Sequence, residues 1–310
     1  MIKKILYRLK RRELIKAIRL KFFRKKYAYN SKLTDVEYLS KFTKISLEYK
    51  TNLIEPKSFN EKINWYKLNY TNDLMSKVVD KISAKEYVKS KGLEEIIIPT
   101  IKIYNSIDDL DLNELPNEFI VKNTADSGGV FVCDDKAKLN INKVKIKFKK
   151  QINSQIYNGI HHLREHPYEN VKNKIIVEEL IKTSHKGAPY DYKFFCFNGK
   201  PEFLYVCTER EKDVKFDFFD IDWNWLDVKQ GHKNAKVHPK KPENYEKMLE
   251  ICQILSKDFP FVRVDLYNEN GKIYFGELTF YHMGGIVKFE PKCWDFEFGK
   301  YFDIEKINKN

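Results

Sequence analysis

The chain has 310 residues, of which 42% are hydrophobic and 15% aromatic, and it carries a formal net charge of +13. That length can bury a core in two or three subdomains, and the hydrophobic content excludes a disordered polypeptide. No apolar run approaches the ~18 residues of a membrane span, and no signal-peptide pattern follows the N-terminal charges, so we expect a cytoplasmic protein. Five cysteines without C-x-x-C spacing argue against a disulfide framework.

Residues 1–26 carry most of the positive charge, with 12 Lys or Arg against the single Glu13. Apolar residues recur among these charges at helical spacing, which predicts one or two basic amphipathic helices. Such a segment fits a peripheral anchor on the anionic inner face of a membrane, and it equally fits a helix docked on the protein. We expect no nucleic-acid partner, because the remaining chain is nearly neutral and has no recognised binding motif. The apolar positions are Ile2, Ile5, Leu6, Leu9, Leu14, Ile15, Ile18 and Phe22.

Residues 27–114 are predicted to be mainly helical. Thr34-Asp35-Val36-Glu37 has the pattern of a helix start, and a second helix is expected from Ser83 to Lys91, where Gly92 stops it. A strand is predicted to begin at Ile96-Ile97-Ile98-Pro99, and the acidic stretch from residue 108 to residue 116 is interpreted as a linker.

Residues 115–182 are predicted to form a lobe with a glycine-rich phosphate loop. Two short apolar runs flank a polar loop that has Ser127-Gly128-Gly129 at its tip and Lys122 at its entrance. Small residues allow backbone N–H groups to approach phosphate oxygens, and the lysine adds a positive charge. No Gly-Lys-Ser/Thr follows, so this is not a Walker loop. A lysine-rich helix is expected from Asn142 to Ile156.

Two glutamates, Glu178 and Glu179, end the next predicted strand, Lys174–Ile181. Carboxylates and exposed backbone at a strand end could read the amino edge of adenine or a ribose hydroxyl. The same two residues could equally cap a helix.

Residues 183–310 are predicted to form a second lobe. It begins with two strands around an Asn198-Gly199 turn, and a helix is expected near residues 242–256. The strand pair carries three candidate polar side chains: Lys193 and Arg210 as catalytic residues and Asp191 as a nucleotide-binding residue.

The segment Val262–Phe280 alternates apolar and polar residues on both sides of Glu269-Asn270-Gly271, which predicts a β-hairpin. A three-residue loop with glycine in the left-handed conformation suits this sequence. A two-residue Asn-Gly turn would instead put Asp265 and Glu277 on opposite faces. The cross-strand pairs expected from the three-residue loop are Arg263 with Glu277 and Asp265 with Phe275.

The predicted hairpin brings four polar side chains, two of them carboxylates, to one face of the sheet. Carboxylates on one face repel unless a cation lies between them, and hard oxygen ligands beside an arginine suit Mg²⁺ that holds nucleotide phosphates. The alternative is an exposed strand pair whose charged residues point to water. The upstream elements favour the metal site. The four residues are Arg263, Asp265, Glu277 and Thr279.

In chain order these segments resemble the ATP-grasp superfamily, and most closely its TupA-like branch of teichuronopeptide biosynthesis. The resemblance runs from about residue 57 to about residue 302, through KSFNEKINW, VDKISAKEYV, FIVKNTADSGG, REHPY, VEELI, DYKFFCFNGKP, FPFVRVDLY and GKIYFGELTFYHMGG. It implies an α+β fold in which two α+β lobes grip ATP, preceded by a mainly helical N-terminal region.

The resemblance also implies roles for individual residues. Lys81 and Lys122 fall on lysines that bind the nucleotide phosphates, and Glu178 with the backbone near Ile181 falls on the adenine pocket. Asp265 and Glu277 fall on Mg²⁺ ligands, and Arg263 falls on the arginine near the transferred phosphoryl group. One departure is Thr279, where D-alanine:D-alanine ligases have asparagine, which leaves the second metal position open.

The implied function is an ATP- and Mg²⁺-dependent carboxylate–amine ligase that acts through an acyl phosphate in cell-surface or capsular polysaccharide biosynthesis. The implied substrates are a small or saccharide carboxylate and an amine. A sugar kinase or a glycosyltransferase of the same pathway is one alternative, and a non-catalytic nucleotide-binding scaffold at the membrane is another. Acceptor recognition is expected from KSFNEKINW or REHPY, since the chain is too short ahead of Lys81 for a separate Rossmann-like domain.

Overall fold

The computed structural model describes residues 13–23, 33–125, 129–156, 163–169, 171–185 and 187–307. Residues 13–23 form helix α1. The other helices are α2 (Asp35–Leu47), α3 (Phe59–Asn69), α4 (Asp73–Val78), α5 (Lys81–Ser90), α6 (Ile141–Ile156), α7 (Tyr245–Ser256) and α8 (Cys293–Tyr301). The strands are β1 (Thr100–Tyr104), β2 (Phe119–Asn123), β3 (Val130–Cys133), β4 (Ile175–Glu178), β5 (Asp191–Phe197), β6 (Lys200–Thr208), β7 (Lys215–Asp220), β8 (Trp225–Leu226), β9 (Lys229–Gln230), β10 (Phe261–Glu269), β11 (Lys272–Thr279) and β12 (Phe289–Glu290).

The first lobe is a four-stranded antiparallel sheet in the order β1-β4-β2-β3, covered by α6. Val144 and Phe148 of α6 join Phe119 and Val121 of β2 in its core. The predicted helix of residues 142–156 is therefore present. Strand β1 comes from the region predicted to be mainly helical, so the sheet of this lobe begins upstream of residue 115. Residues 94–96 form a 3₁₀ turn, and the strand expected from residue 96 begins only at residue 100.

The second lobe is a six-stranded antiparallel sheet in the order β11-β10-β5-β6-β7-β8. Helix α7 packs on one face, where the Tyr245 ring lies 6.0 Å from that of Phe194. Helix α3 covers part of the other face, where Phe59 contacts Phe195 and Phe261 with ring centroids 5.7 and 5.5 Å away. Residues 191 and 193 share the face of residue 195, because side chains alternate along a strand. One sheet face is therefore aromatic at its α3 end and polar at the other end.

The N-terminal helices form a separate cluster against this body. The predicted helix start is confirmed, since Thr34 and Glu37 form a reciprocal capping box at the start of α2. Phe23 of α1 is 8% exposed and packs on Tyr38 and Phe42 of α2, at ring-centroid distances of 5.2 and 5.9 Å. Within the part of the chain that the structure describes, no helix is long and apolar enough to cross a bilayer.

The β10–β11 hairpin differs from its predicted register. Glu269 pairs with Lys272, so the loop has two residues, Asn270 and Gly271, with φ of 52° and 75°. Positive φ at both positions marks a type I′ turn, whose twist matches that of the strands. The predicted three-residue loop is therefore wrong, as are the predicted pairs of Arg263 with Glu277 and of Asp265 with Phe275. The observed pairs are Arg263 with Thr279, Asp265 with Glu277, and Leu266 with Phe275.

A β-bulge nevertheless keeps Asp265 and Glu277 together. The register shifts by one residue between Asp265 and Leu266, and Gly276 is the extra residue on β11. The two-residue turn alone would place the carboxylates on opposite faces, and the extra residue of the bulge returns them to the same face. The prediction missed both the shorter loop and the bulge, and their effects on the face cancel, so the four polar residues do share one face.

The bulge requires glycine at position 276, because there is no space for a side chain. A Cβ atom there would lie 2.9 Å from the carbonyl oxygen of Asp265, which is backbone and cannot rotate away. We predict that Gly276→Ala lowers the free energy of unfolding by about 1–3 kcal/mol, the usual cost of overpacking. Urea unfolding of the full chain measures this change.

The matched control for this variant is Gly271→Asn in the turn. Gly271 has φ of 75° with open space around its Cβ position, and asparagine tolerates that conformation. This control should stay within about 0.5 kcal/mol of the wild-type chain, as surface substitutions usually do. Equal losses in the two variants would show that the bulge does not depend on the absence of a side chain.

Candidate active site

Arg263 is the centre of the polar face of the hairpin and is 6% exposed. Its Nε donates to Asp265 Oδ1 and its Nη2 to Asp265 Oδ2, both at 2.7 Å. Nη2 also donates to Thr279 Oγ1 at 2.9 Å and to Glu277 Oε1 at 3.2 Å. The guanidinium thus supplies the positive charge that allows two carboxylates to lie side by side.

Strand β5 adds the predicted residues Asp191 and Lys193 to this network. Lys193 pairs with Asp265 in the strand register, and its Nζ forms ion pairs with Asp265 and, at 2.8 Å, with Asp191. Arg210, just beyond β6, reaches Asp191 Oδ2 through Nη1 at 3.4 Å. The three predicted catalytic residues Arg263, Lys193 and Arg210 therefore belong to one chain of alternating charges.

The first lobe contributes a second buried ion cluster around Glu178, which is 3% exposed. Lys122 Nζ lies 2.6 Å from Glu178 Oε2, and Lys85 forms an ion pair with Oε1. Glu178 thus neutralises two lysines. Lys85 was not predicted, although it follows Lys81 by four residues on α5 and so shares its helix face. Glu179 is exposed and donates its N–H to Pro99 O at 3.1 Å. Neither glutamate caps a helix within residues 175–185, so that alternative is wrong.

Lys81 and the glycine-rich loop lie at the junction of the two lobes. Asp80 caps α5 by accepting from the N–H groups of Ile82 and Ser83, and Lys81 N donates to Thr124 O at 3.1 Å. The base of the loop is closed by the bond from Asn123 N to Gly129 O, 2.9 Å long. Ser127 and Gly128 lie outside the described residues, as does any contact that they make.

The two hairpin carboxylates have opposite pKa shifts. Burial raises the pKa of Asp265 to about 6, against the opposing charges of Arg263 and Lys193. Burial acts upward on Glu277 too, but Lys193, Lys81 and Arg263 outweigh it and lower its pKa to about 2. Because Lys81 is one of these cations, the start of α5 faces the hairpin. Glu277 is therefore firmly ionised at neutral pH.

The side-chain oxygens of Asp265, Glu277 and Thr279 fit a Mg²⁺ ion that is also bound by the phosphates of a nucleotide. Among the described residues, no group of three or more His, Cys, Asp and Glu forms a metal cage. Mg²⁺ is usually held by one or two carboxylates together with substrate phosphates and water. The Glu277 side chain is 31% exposed, whereas Asp265 is 1% exposed. Thr279 Oγ1 lies 3.1 Å from Glu277 Oε1 and offers a further, neutral oxygen.

His282 and Gln230 complete the environment of Arg263 and were not predicted. His282 Nδ1 lies 2.8 Å from Arg263 Nη1, and its Nε2 lies 2.7 Å from Gln230 Oε1. Burial and the neighbouring cations Arg263 and Lys193 hold the pKa of His282 well below its usual range. The imidazole is therefore neutral, accepting from Arg263 and donating to Gln230. No local pattern reveals this chain of contacts, because the three residues are far apart in sequence.

The two segments expected to recognise the acceptor have different positions. Helix α3 contains most of KSFNEKINW, and its polar side chains make contacts in the interior of the protein. Asn60 donates to the Asp295 carboxylate, and Lys67 donates to Gly284 O at 2.7 Å. Burial, and then the charges of Glu165 and Glu277, raise the pKa of Tyr168 of REHPY. REHPY is thus close to Glu277 at the polar end of the hairpin, whereas Phe59 of α3 packs on Phe261 at its aromatic end.

The model of the TupA-like ATP-grasp family matches residues 61–303. Among solved structures, D-alanine–D-alanine ligase from Bacillus anthracis complexed with ATP is similar, with 16% identity over 67% of this chain and 56% of that chain and a TM-score of 0.37. D-alanine–D-alanine ligase from Helicobacter pylori matches with 14% identity over 82% and 68% of the two chains, at a TM-score of 0.44. Phosphoribosylamine–glycine ligase from Thermotoga maritima matches with 14% identity over 68% and 49%, at 0.38. Among curated protein sequences, none matches the chain.

The network predicts different stability losses for its two hairpin carboxylates. Asp265→Asn leaves Arg263 and Lys193 buried without their shared anion, and breaking a buried pair in this way costs about 3–5 kcal/mol. Glu277→Gln keeps an oxygen for Arg263 and Thr279 at a part-exposed position but removes a charge that the neighbouring cations stabilise, so the loss should be smaller, about 1–3 kcal/mol. Urea unfolding at pH 7 compares the two variants, and similar losses would contradict the central position of Asp265.

A pH series tests Glu277 separately. Its pKa is lower in the folded chain than the ordinary value of 4.5, so its ionisation stabilises the fold above pH 4.5. This contribution is lost as the pH falls from 4.5 towards 2. The stability difference between the wild-type chain and Glu277→Gln should therefore shrink over that interval, and a constant difference would exclude the pKa shift.

Proposed function

Because the chain belongs to the TupA-like ATP-grasp family, we propose that it is an ATP- and Mg²⁺-dependent carboxylate–amine ligase of cell-surface or capsular polysaccharide biosynthesis. Its substrates are a small or saccharide carboxylate and an amine, and the reaction passes through an acyl phosphate. The D-alanine–D-alanine ligase and phosphoribosylamine–glycine ligase among the similar structures are named as ligases. The chain spans 56% of the length of the Bacillus anthracis enzyme, and ligase activity of the present chain is therefore part of this proposal.

The observation that carries the proposal is the charge balance where the lobes meet. Six cations and four carboxylates meet there, a cation-rich arrangement that suits a bound polyanion. Lys122 of the first lobe and Glu277 of the hairpin interact electrostatically across the space between the lobes, which we call the cleft. Phosphoryl transfer requires charge neutralisation and positioning more than a protein nucleophile. The cations are Lys81, Lys85, Lys122, Lys193, Arg210 and Arg263, and the carboxylates are Glu178, Asp191, Asp265 and Glu277.

The proposed nucleotide contacts follow the order of these residues through the cleft. Lys81, Lys122 and the backbone of the loop at residues 127–129 bind the phosphates. Residues 178–181 border the adenine, with the Glu178 carboxylate fixing Lys122 rather than reading the base. Asp265 and Glu277 hold Mg²⁺, and Thr279 offers its hydroxyl. Bound Mg²⁺ neutralises the phosphate oxygens and orients the triphosphate.

In the proposed reaction, an oxygen of the acceptor carboxylate attacks the γ-phosphorus of ATP, and the bond to the leaving ADP oxygen breaks. An amine then attacks the acyl carbon, so that a C–N bond forms, phosphate leaves and the amine loses a proton. Arg263 Nη1 uses one N–H on His282, and its second N–H has no partner among the described residues. That N–H is available to the oxyanion of the tetrahedral intermediate, while Lys193 and Arg210 stabilise the transferred phosphoryl group.

The assay supplies ATP, Mg²⁺ and a panel of uronic acids and amino acids to the full-length protein. We expect ADP and free phosphate in step with the coupled product, and an acyl hydroxamate when hydroxylamine replaces the amine. A phosphorylated sugar would identify a sugar kinase, and nucleotide release from a sugar nucleotide without ATP consumption would identify a glycosyltransferase. A glycosyltransferase would use a D-x-D motif to bind its metal ion. Asp220-Ile221-Asp222 has that spacing, but Asp220 accepts from the N–H groups of Asp222 and Asn224 within a turn.

Lys122→Ala should lower kcat for hydroxamate formation by about 10²-fold, the usual effect of removing one charge donor in a transition state. Lys85 still pairs with Glu178 in this variant, so the fold should survive. Lys149→Ala is the control, because Lys149 lies on α6, is 53% exposed and pairs with Asp108. Steady-state kinetics compares the two variants, and equal effects would remove Lys122 from the phosphate site.

Peripheral contact of residues 1–26 with an anionic membrane is the second proposal, and α1 supports it. Four apolar residues of α1 are exposed, at 61%, 47%, 45% and 69%. Their spacing places them on one side of the helix, flanked by the exposed Arg19 and Lys21. Phe23 docks on α2 from another side, so the docked helix keeps an apolar stripe with charges that complement anionic lipid. The stripe consists of Leu14, Ile15, Ile18 and Phe22.

Replacing two stripe residues tests this contact without changing the charge. Leu14→Ser with Phe22→Ser should weaken binding to phosphatidylglycerol-containing vesicles at least about tenfold, because each buried apolar side chain contributes more than 1 kcal/mol. Ile146→Ser with Ile254→Ser, two exposed apolar residues on other helices, is the matched control. Vesicle co-sedimentation at several salt concentrations measures binding. Unchanged binding by the stripe variant, or binding that added salt does not weaken, would end this proposal.

A further inference from the structure

A basic groove lies between α1 and α2, apart from the residues of the cleft. It encloses a cavity of about 660 Å³ whose wall includes five cationic side chains and one carboxylate. Ile45 and Tyr49 supply part of an apolar wall between the charges. We call this feature the α1–α2 groove. Its cations are Lys16, Arg19, Lys41, Lys44 and Lys50, and the carboxylate is Glu48.

Four of the five cations of the groove lack a compensating carboxylate among the described residues. Within the described residues, Lys16, Arg19, Lys44 and Lys50 have no ion-pair partner, and the Glu48 carboxylate is bound to Lys288. In the cleft, by contrast, Lys122, Lys193 and Arg263 each pair with a buried carboxylate. Like charges gathered around one cavity repel one another, and a bound polyanion would remove that repulsion.

The basic surface extends beyond this first cavity. Lys16 also lines an adjoining cavity of about 340 Å³, together with Lys229 and Lys233, although Glu13 and Glu290 make that part less basic. Cations spread over two cavities that share Lys16 suit an extended anion better than a single phosphate group. The surface is concave, whereas a bilayer requires a convex or flat surface such as the exposed stripe of α1.

We propose that the α1–α2 groove binds a carboxylate-bearing oligosaccharide, so that an acidic polymer is held at a site separate from the cleft. The basic side chains would pair with carboxylates along the chain, and the C–H faces of the sugars would pack against Ile45 and Tyr49. The choice of a sugar chain over an acidic peptide rests on the proposed function.

The test measures binding of a galacturonate hexamer to the full-length protein by calorimetry, without ATP or Mg²⁺. Lys44→Glu with Lys50→Glu reverses two exposed charges in the groove, and affinity should fall at least about tenfold, as expected for loss of roughly 0.7 kcal/mol or more per site. Lys147→Glu with Lys150→Glu on α6 makes the same change in net charge at exposed positions and should leave affinity within about twofold.

Three ligands of different class complete the experiment. A neutral glucose hexamer should not bind, since the groove is expected to recognise carboxylates. Equal binding of the neutral sugar, tighter binding of a glutamate hexapeptide or of anionic vesicles at the same residues, or equal losses in the two charge-reversal variants would each overturn the proposal. Because no turnover is needed, this result is independent of the ligase assay: hexamer binding can be lost while hydroxamate formation with a small acceptor persists, and the reverse.

Discussion

The cleft is organised by one buried cation, the guanidinium of Arg263. A buried charge is costly unless its donors meet acceptors, and here Asp265, Glu277, Thr279 and His282 supply them. That requirement fixes the positions of the two carboxylates before any ligand binds. It also fixes the protonation state of His282, which must be neutral to accept from Arg263. The bulge at Gly276 is the backbone feature that brings both strands into reach of the same guanidinium.

The second-lobe sheet supports this arrangement because its strands carry aromatic side chains at one end and charged side chains at the other. Towards α3, Phe195 and Phe261 pack around Phe59, and Phe195 also lies with its ring 4.7 Å from His282. Towards the other end, the same strands carry Lys193 and Asp265. Close aromatic packing leaves the backbone little freedom, so the polar end is held in a preorganised geometry. Preorganised charges suit phosphoryl transfer, in which the protein mainly positions and neutralises.

Much of this organisation could be predicted from the sequence, because helix caps, turn residues and alternation are local signals. The capping box at Thr34, the Asn198-Gly199 turn and helices α6 and α7 follow from such patterns. The hairpin register could not be predicted in this way. The loop length and the bulge each shift the pairing by one residue, and the requirement that Asp265 and Glu277 share a face restricts only the total shift. Gly276 was the available signal, since glycine inside a strand often marks a bulge.

The remaining contacts of the site are long-range, and no pattern in the sequence encodes them. Gln230 meets His282 across 52 residues, and Glu178 of β4 meets Lys85 of α5, which is also far away in the sequence. The N-terminal segment differs, because a basic amphipathic helix fits both a docked helix and a membrane anchor, and the sequence alone does not separate the two. In the structure the faces separate, with Phe23 turned to α2 and Phe22 exposed. A helix that docks by one face can expose the other, so the same 11 described residues of α1 contribute to the fold, to an exposed apolar stripe and to one wall of the α1–α2 groove.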